Sequence, residues 1–362
     1  MPNVNTNTYE YQERQKCKDN MEKILSGLPD YISRFLNHKL NGSRHLQPRT
    51  VLAYAGDLNL FFYYLSISNP LCKNINIRDI SAEEILANLT IDDIEDYYEW
   101  LSSYERNGKA YENGQAAKKR KIAAVSSMYK YLLKNHYVSS NPCELMEYGR
   151  IEDAPIITLT KNEQSLFLNE LYSPEKSNQL TNRSKKIKEH YTSLRDIAIA
   201  YLFFGTGMRV SELVAININD INAFEKYVYI KRKGGKTQKL FFNDEVADVL
   251  INYLDASRPK MLPEETSRDY EALFLSLHRK RLCVRQVENV IKSTAERALG
   301  DTRAAKISCH KLRSTYGTRL LKASGNIALV AEVLGHKDIS TTKRRYAAIQ
   351  GLEEAPNYVS IL

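Results

Sequence analysis

A pair of adjacent glycines, Gly234-Gly235, does most to limit what this 362-residue chain can fold into. Two glycines between apolar-alternating runs are a strong hairpin signal, so residues 226–233 and 239–243 are expected to form two antiparallel strands. Elsewhere the apolar residues mostly recur at helical spacing. After Pro48, which suits a first helical turn, Val51, Tyr54, Ala55, Leu58, Phe61, Phe62 and Leu65 keep that rhythm. The expectation is a mainly α protein with a small antiparallel β-sheet.

A chain of this length exceeds the usual size of one core, which points to two domains. Asn141-Pro142 should stop a helix, and residues 148–159, with Pro155, read as an extended linker. The expected organisation is a loose polar tail over 1–20, a helical domain over 21–150, a linker over 151–160, a second domain over 161–350 and a tail over 351–362. Helices are expected over 21–35, from Pro48, from Ser81, from Thr90 and over 115–137. In the second domain they are expected from Thr160, over 193–204 and from Val210. Ser81 with Glu84, Thr90 with Asp93 and Thr160 with Glu163 have capping-box spacing. The polar residues 173–188 read as a loop.

The charge balance, 52 Lys+Arg against 43 Asp+Glu, favours a polyanionic partner, and its distribution narrows the choice. Residues 115–137 carry Lys118, Lys119, Arg120, Lys121, Lys130 and Lys134 with no acidic residue, beside an apolar stripe. The helix before it carries Asp92, Asp93, Glu95, Asp96 and Glu99, a face that DNA would repel. Lys118, Lys119, Arg120 and Lys121 are therefore candidate DNA-binding residues, with an ordinary solvated surface as the competing reading. Cys17, Cys72, Cys143, Cys283 and Cys309 are scattered with no CxxC pair, against a disulfide framework or zinc site. No run approaches 18 apolar residues and the N-terminus lacks the apolar core of a signal peptide. A reduced, soluble, cytoplasmic protein without a membrane partner is expected.

The candidate chemistry lies in the second domain. Arg209 stands in TGMRVSEL, Lys233 in KRKGGKTQ, His310 and Arg313 in SCHKLRSTYGT, His336 in LGHKD and Tyr346 in TTKRRYAAI. Attack on a phosphodiester spreads negative charge over the non-bridging oxygens, and arginine meets it with a planar, permanently charged fork. His310 and Arg313, three apart, share a helix face, and Ser308 is a plausible N-cap. Lys233 and Lys236 flank the hairpin tip, where either could protonate a leaving oxygen. Gly335 suits a helix C-cap that would fix His336. A phenol needs a base and a cationic setting to attack, and the neighbouring motifs would supply both. Taken singly, each of these residues is as readily a cap, a turn neighbour or a solvated charge. No acidic cluster accompanies them, which disfavours a metal-dependent nuclease.

In that order and at those separations, TGMRVSEL, KGGK, HKLRSTYGT, LGHKDISTT and the following Tyr346 resemble the tyrosine recombinase (phage integrase) family. The likeness covers residues 155–350, and the N-terminal half is similar to the family's helical core-binding domain. The nearest similarity is to Xer-type recombinases of Gram-positive bacteria, including the single-protein XerS-like variety. The resemblance implies a core-binding domain and an α+β catalytic domain closing as a clamp on duplex DNA that carries a specific recombination site. It implies a homo-tetramer on two duplexes and neither metal nor other cofactor. Arg209 and Arg313 would hold the scissile phosphate, Tyr346 would attack it, and Lys233 rather than Lys236 would protonate the leaving 5′ oxygen. His310 would transfer a proton to or from the tyrosine, and His336 would hydrogen-bond the phosphate. A 3′-phosphotyrosyl link would result. Xer-like resolution of chromosome dimers is the expected role. Integration of a phage or conjugative element is the alternative, and a catalytically silent DNA-binding regulator is disfavoured. The chain departs from the common pattern at Ser314, where His is frequent, at Cys309, where Pro is frequent, and in the ten residues from His336 to Tyr346, one more than usual. Tyr358 is a distant second choice for the nucleophile. The tail's apolar end would dock on a neighbouring protomer or pack in cis.

Overall fold

In the computed structural model, residues 9–42, 46–73, 75–148, 156–172, 183–232, 235–336, 338–340 and 342–343 are described, with 183–190 as backbone only. The chain divides into two compact units, Met1–Glu152 and Asp153–Leu362. Among the described residues no helix is long and apolar enough to cross a membrane.

The first unit is built from helices α1 (Tyr9–Leu25), α2 (Asp30–Asn41), α3 (Pro48–Ser68), α4 (Ile91–Trp100) and α5 (Gln115–Lys134). Val51, Ala55, Leu58, Phe61, Phe62 and Leu65 of α3 are fully buried, as their spacing predicts, and meet Phe35, Tyr97 and Tyr129 in one core. Residues 9–20 are not a loose tail but the start of α1. Its polar surface is laced by pairs one turn apart, Lys16 with Glu13 at 3.2 Å and Gln15 with Asp19 at 3.1 Å, and Glu13 also reaches Arg49 at 3.7 Å. Thr90 and Asp93 form the expected capping box on α4. After Ser81 the hydroxyl does accept from the Glu84 N–H, at 3.2 Å, but turns and a 3-10 segment, Leu86–Asn88, follow instead of a helix. Ile80, Ala82, Leu86 and Leu89 are buried there. A second hairpin, β1 (Ser103–Arg106) and β2 (Lys109–Glu112), turns at Asn107-Gly108. Its Tyr104 stacks on Trp100 and Tyr111 at 4.4 and 5.1 Å between ring centres.

In the second unit, α6 (Lys161–Tyr172) begins at the Thr160/Glu163 capping box, with the Thr160 N–H donating to Glu163 at 2.8 Å. Helix α7 (Arg183–Thr206) starts ten residues before the expected 193, because residues 183–192 contain neither glycine nor proline to stop it. Its apolar half, Ile197 to Phe203, is the buried spine against which α9 and α12 pack. After α8 (Val210–Ala215), strands β3 (Ile221–Asn222), β4 (Tyr227–Lys231) and β5 (Thr237–Phe241) form one antiparallel sheet in that order. Tyr227 pairs with Phe241 and Lys231 with Thr237, while Val228, Ile230 and Leu240 face inward. Helices α9 (Asp244–Asn252), α10 (Val284–Leu299), α11 (Asp301–Ala304), α12 (Cys309–Ser324) and α13 (Ile327–Leu334) complete the unit. The mainly helical fold with small antiparallel sheets is the one expected. Ser308 precedes α12 in extended conformation, but its side chain makes no capping bond.

Candidate active site

The end of α13 organises the site. Asn326 caps the start of this helix, its Oδ1 accepting from the N–H groups of Ala328 and Leu329 at 3.0 and 3.1 Å. Buried Val330, Ala331 and Leu334 seat it. Gly335, at φ 62°, ends it in the left-handed conformation, and the His336 N–H returns to the Ala331 carbonyl at 2.9 Å. A helix leaves its last carbonyls short of partners, and here four consecutive ones are met by side chains from elsewhere. Gln238 Nε2 donates to Glu332 at 3.1 Å, Arg232 Nη2 to Val333 at 2.6 Å and Arg209 Nη2 to Gly335 at 3.2 Å, while Arg313 Nη2 donates to Leu334. Three guanidinium groups thus sit at the helix end that carries partial negative charge.

Arg209 is presented by the turn between α7 and α8. Its own N–H donates to Glu212 Oε2 at 2.7 Å and its Nη1 to Glu212 Oε1 at 2.8 Å. Glu212 is buried, and Arg232 Nη1 donates to both of its oxygens, at 2.9 and 2.8 Å. One carboxylate therefore faces two guanidiniums, leaving the cluster cationic. Burial pulls the Arg232 guanidinium below its ordinary value and Glu212 opposes that pull. The two arginines differ in access: the Arg209 side chain is 35% exposed and that of Arg232 is 8% exposed. Arg313 is also buried, and its Nη1 donates to the Gly207 carbonyl at 2.7 Å. It bridges the turn that presents Arg209 to the helix end that precedes His336. The His336 ring sits with Nδ1 2.7 Å from the hydroxyl of buried Thr342, and that contact orients the imidazole.

The structure thus brings Arg209, Arg313 and His336 together. His310 lies exposed in the first turn of α12, one turn before Arg313. Lys233, Tyr346 and Tyr358 lie outside the described residues, as do residues 151–155 of the expected linker and the tail 351–362. Glu212 and Arg232 are members of the cluster that sequence reasoning missed. Glu212 had a signal, because it stands three residues after Arg209 at capping-box spacing. Arg232 had none, its partners Glu212 and Val333 being 20 and 101 residues away. Among the described residues no three His, Cys, Asp or Glu gather to hold a metal ion.

The four basic residues of α5 do not share one open face. Lys118 is buried, donating to the Ser102 hydroxyl at 2.8 Å with its ammonium 4.0 Å from the centre of the Tyr98 ring. Lys121 is buried and donates to Asn113 Oδ1 at 3.2 Å, and desolvation lowers its pKa. Arg120 forks onto Asp57 of α3, an acid that burial pushes upward and Arg120 pulls back. Lys119 lies 5.1 Å from the centre of the Tyr148 ring. The hairpin flanks Ser102 and Asn113 draw Lys118 and Lys121 inward, while Arg120, its side chain half exposed, pairs with the buried Asp57.

A cluster of fixed guanidiniums beside an oriented imidazole is equipped to bind a phosphate and stabilise charge that develops on it. Comparison with known proteins gives the class. The phage integrase family matches residues 170–352. Tyrosine recombinase XerC of Caldanaerobacter subterraneus subsp. tengcongensis is 32% identical over 324 residues, covering 87% of this chain and 82% of its own. Tyrosine recombinase XerD of Staphylococcus saprophyticus is 29% identical over 250 residues, 68% of this chain and 78% of its own. The fold is shared with XerH site-specific recombinase bound to palindromic difH substrate, at TM-score 0.60 and 19% identity over 90% of this chain and 94% of that one. It is likewise shared with the Tn1549 transposon integrase in complex with transposon right end DNA, at TM-score 0.61 and 14% identity over 87% and 94%. The chain belongs to the phage integrase family. Within it the chain is a tyrosine recombinase of Xer type, an enzyme that cuts and rejoins DNA at specific sites.

Proposed function

We propose that Tyr346 is the nucleophile, that Arg209 and Arg313 hold the non-bridging oxygens of the scissile phosphate, and that His336 donates a hydrogen bond to it. Lys233 protonates the 5′ oxygen as it leaves, and His310 passes the proton to or from the tyrosine. The phenol oxygen bonds to phosphorus as the bond to the 5′ oxygen breaks, leaving a 3′-phosphotyrosyl ester and a free 5′ hydroxyl. The ester conserves the bond energy, so a second strand's 5′ hydroxyl can reverse the reaction without ATP, metal or cofactor. The observation that carries this reading is the meeting of Arg209 and Arg313 on the carbonyls immediately before His336.

The partner is double-stranded DNA with a specific recombination site, bound by a homo-tetramer that joins two duplexes in the cytoplasm. Lys119 and Arg120, the less buried members of the α5 group, make phosphate contacts there. The biological role in this reading is Xer-like resolution of chromosome dimers.

A nicked suicide duplex carrying the recombination site, followed by a denaturing gel, tests the chemistry. The wild-type protein should form a covalent DNA adduct, and Tyr346→Phe should form none. An adduct with Tyr346→Phe would move the nucleophile elsewhere, with Tyr358 next to be replaced.

A further inference from the structure

Arg232 is the last described residue before the tip of the β4–β5 hairpin, and it does not behave as a hairpin-tip cation. Its side chain turns inward. Nη1 donates to both oxygens of Glu212, Nε donates to Gln238 Oε1 at 2.7 Å, and Nη2 donates to the Val333 carbonyl at 2.6 Å. Gln238, from β5, in turn donates to the Glu332 carbonyl. The main chain of Arg232 closes the turn, with its N–H donating to Lys236 at 2.7 Å and its carbonyl accepting from Gly235 at 3.0 Å. The neck of the hairpin is thus held within itself by the turn and held outward by α13 and Glu212. A Cβ on Gly335 would lie 2.8 Å from Arg232 Nε, so the approach depends on that glycine.

A two-stranded hairpin end is soft, and an acid on it is useful only if its reach is fixed, because a misplacement of about 1 Å can cost about a hundredfold in rate. Lys233 directly follows Arg232 in the chain. We propose that Arg232 is a positioning residue. It ties the hairpin that carries Lys233 to the same carboxylate that holds Arg209, so that the proton donor and the phosphate-binding arginine share one anchor. This rests on the reading of Lys233 as the acid that protonates the 5′ oxygen. A merely structural Arg232 would slow every step alike. A positioning Arg232 would slow the step in which the leaving oxygen takes a proton.

The test compares single-turnover cleavage of two nicked duplexes by the full-length protein. One has the ordinary 5′ oxygen at the scissile bond. In the other a bridging sulfur replaces it and departs as a thiolate without needing a proton. Arg232→Lys keeps a positive charge against Glu212 but loses the separate donors to Gln238 and Val333, and should slow cleavage of the oxygen substrate about tenfold to a hundredfold. On the sulfur substrate the deficit should shrink to within about threefold, in parallel with Lys233→Ala. An equal deficit of Arg232→Lys on both substrates, with Lys233→Ala relieved by sulfur, overturns the proposal and leaves the acid intact. So does wild-type cleavage of the oxygen substrate by Arg232→Lys. If sulfur fails to relieve Lys233→Ala, the assignment of the acid fails and this proposal with it. Should Arg232→Lys not melt cooperatively, Gln238→Ala is read by the same criteria, since it removes the Nε partner and leaves the Arg232–Glu212 pair.

Discussion

In the second unit the side chains of Arg209, Arg232, Arg303 and Arg313 each join distant parts of the backbone, and what each one touches decides how it responds to solution conditions. Arg303 is the clearest case for pH. Its Nε and Nη2 donate to the two oxygens of Glu163 at 2.6 and 3.0 Å, and Nη2 also reaches the Thr158 carbonyl. The hydrogen bond from Arg303 is the main cause holding Glu163 down, from its ordinary 4.5 to about 2. A carboxyl held low in the folded state stabilises fully above its unfolded value and loses that contribution as pH falls through the folded one. Glu163→Gln should therefore lower the melting temperature at pH 6, and the gap from wild type should close as pH falls from about 4.5 to about 2. A gap that stays constant over that range would remove the ion pair as its cause. At this scale the sequence singled out Arg209, Arg313 and His336 only through their joint order. It could not disclose Arg232, because no local pattern links a hairpin residue to a carbonyl 101 positions on.

Among elements, α12 and α13 offer a matched pair of helix ends. Gly325 and Gly335 both close their helices at nearly the same angle, φ 61° and 62°. A Cβ on Gly325 would meet nothing within 4 Å, whereas one on Gly335 would collide with the Arg232 guanidinium. Gly325→Ala should cost about 1–2 kcal/mol, the conformational term alone. Gly335→Ala should cost more than that in thermal unfolding and should also depress DNA cleavage, which Gly325→Ala should leave near wild type. Equal effects on both properties would mean that the close approach of Arg232 carries no weight. The elements themselves were legible where the pattern was strong and local, as in α3, in the capped starts of α4 and α6, and in the β4–β5 hairpin. They were not legible where partners decide. The polar start of α1 is held by pairs with its own turns and with Arg49. The β1–β2 hairpin, despite its Asn-Gly turn, rests on an aromatic stack with Trp100 that period alone does not show.

For the whole molecule, the first unit has a closed core of its own, running from Met21 to Met146 and built around Phe35, Phe61, Phe62, Tyr97 and Tyr129. A chain ending at residue 148 should accordingly melt in one cooperative transition, and a gradual, baseline-like loss of signal would show that the core needs the rest of the protein. The second unit is organised differently at its site. Arg209 closes onto Gly335 across 126 residues and Arg313 onto Gly207 across 106. Contacts of that sequence separation are made late, because chain entropy has to be surrendered before they repay it. The carbonyls at the end of α13 are also made after Arg209, Arg232 and Arg313, the arginines that close onto them. A nascent or half-folded chain therefore holds Arg209 and Arg313 apart from their partners, and the capacity to cut DNA arrives only with the finished fold.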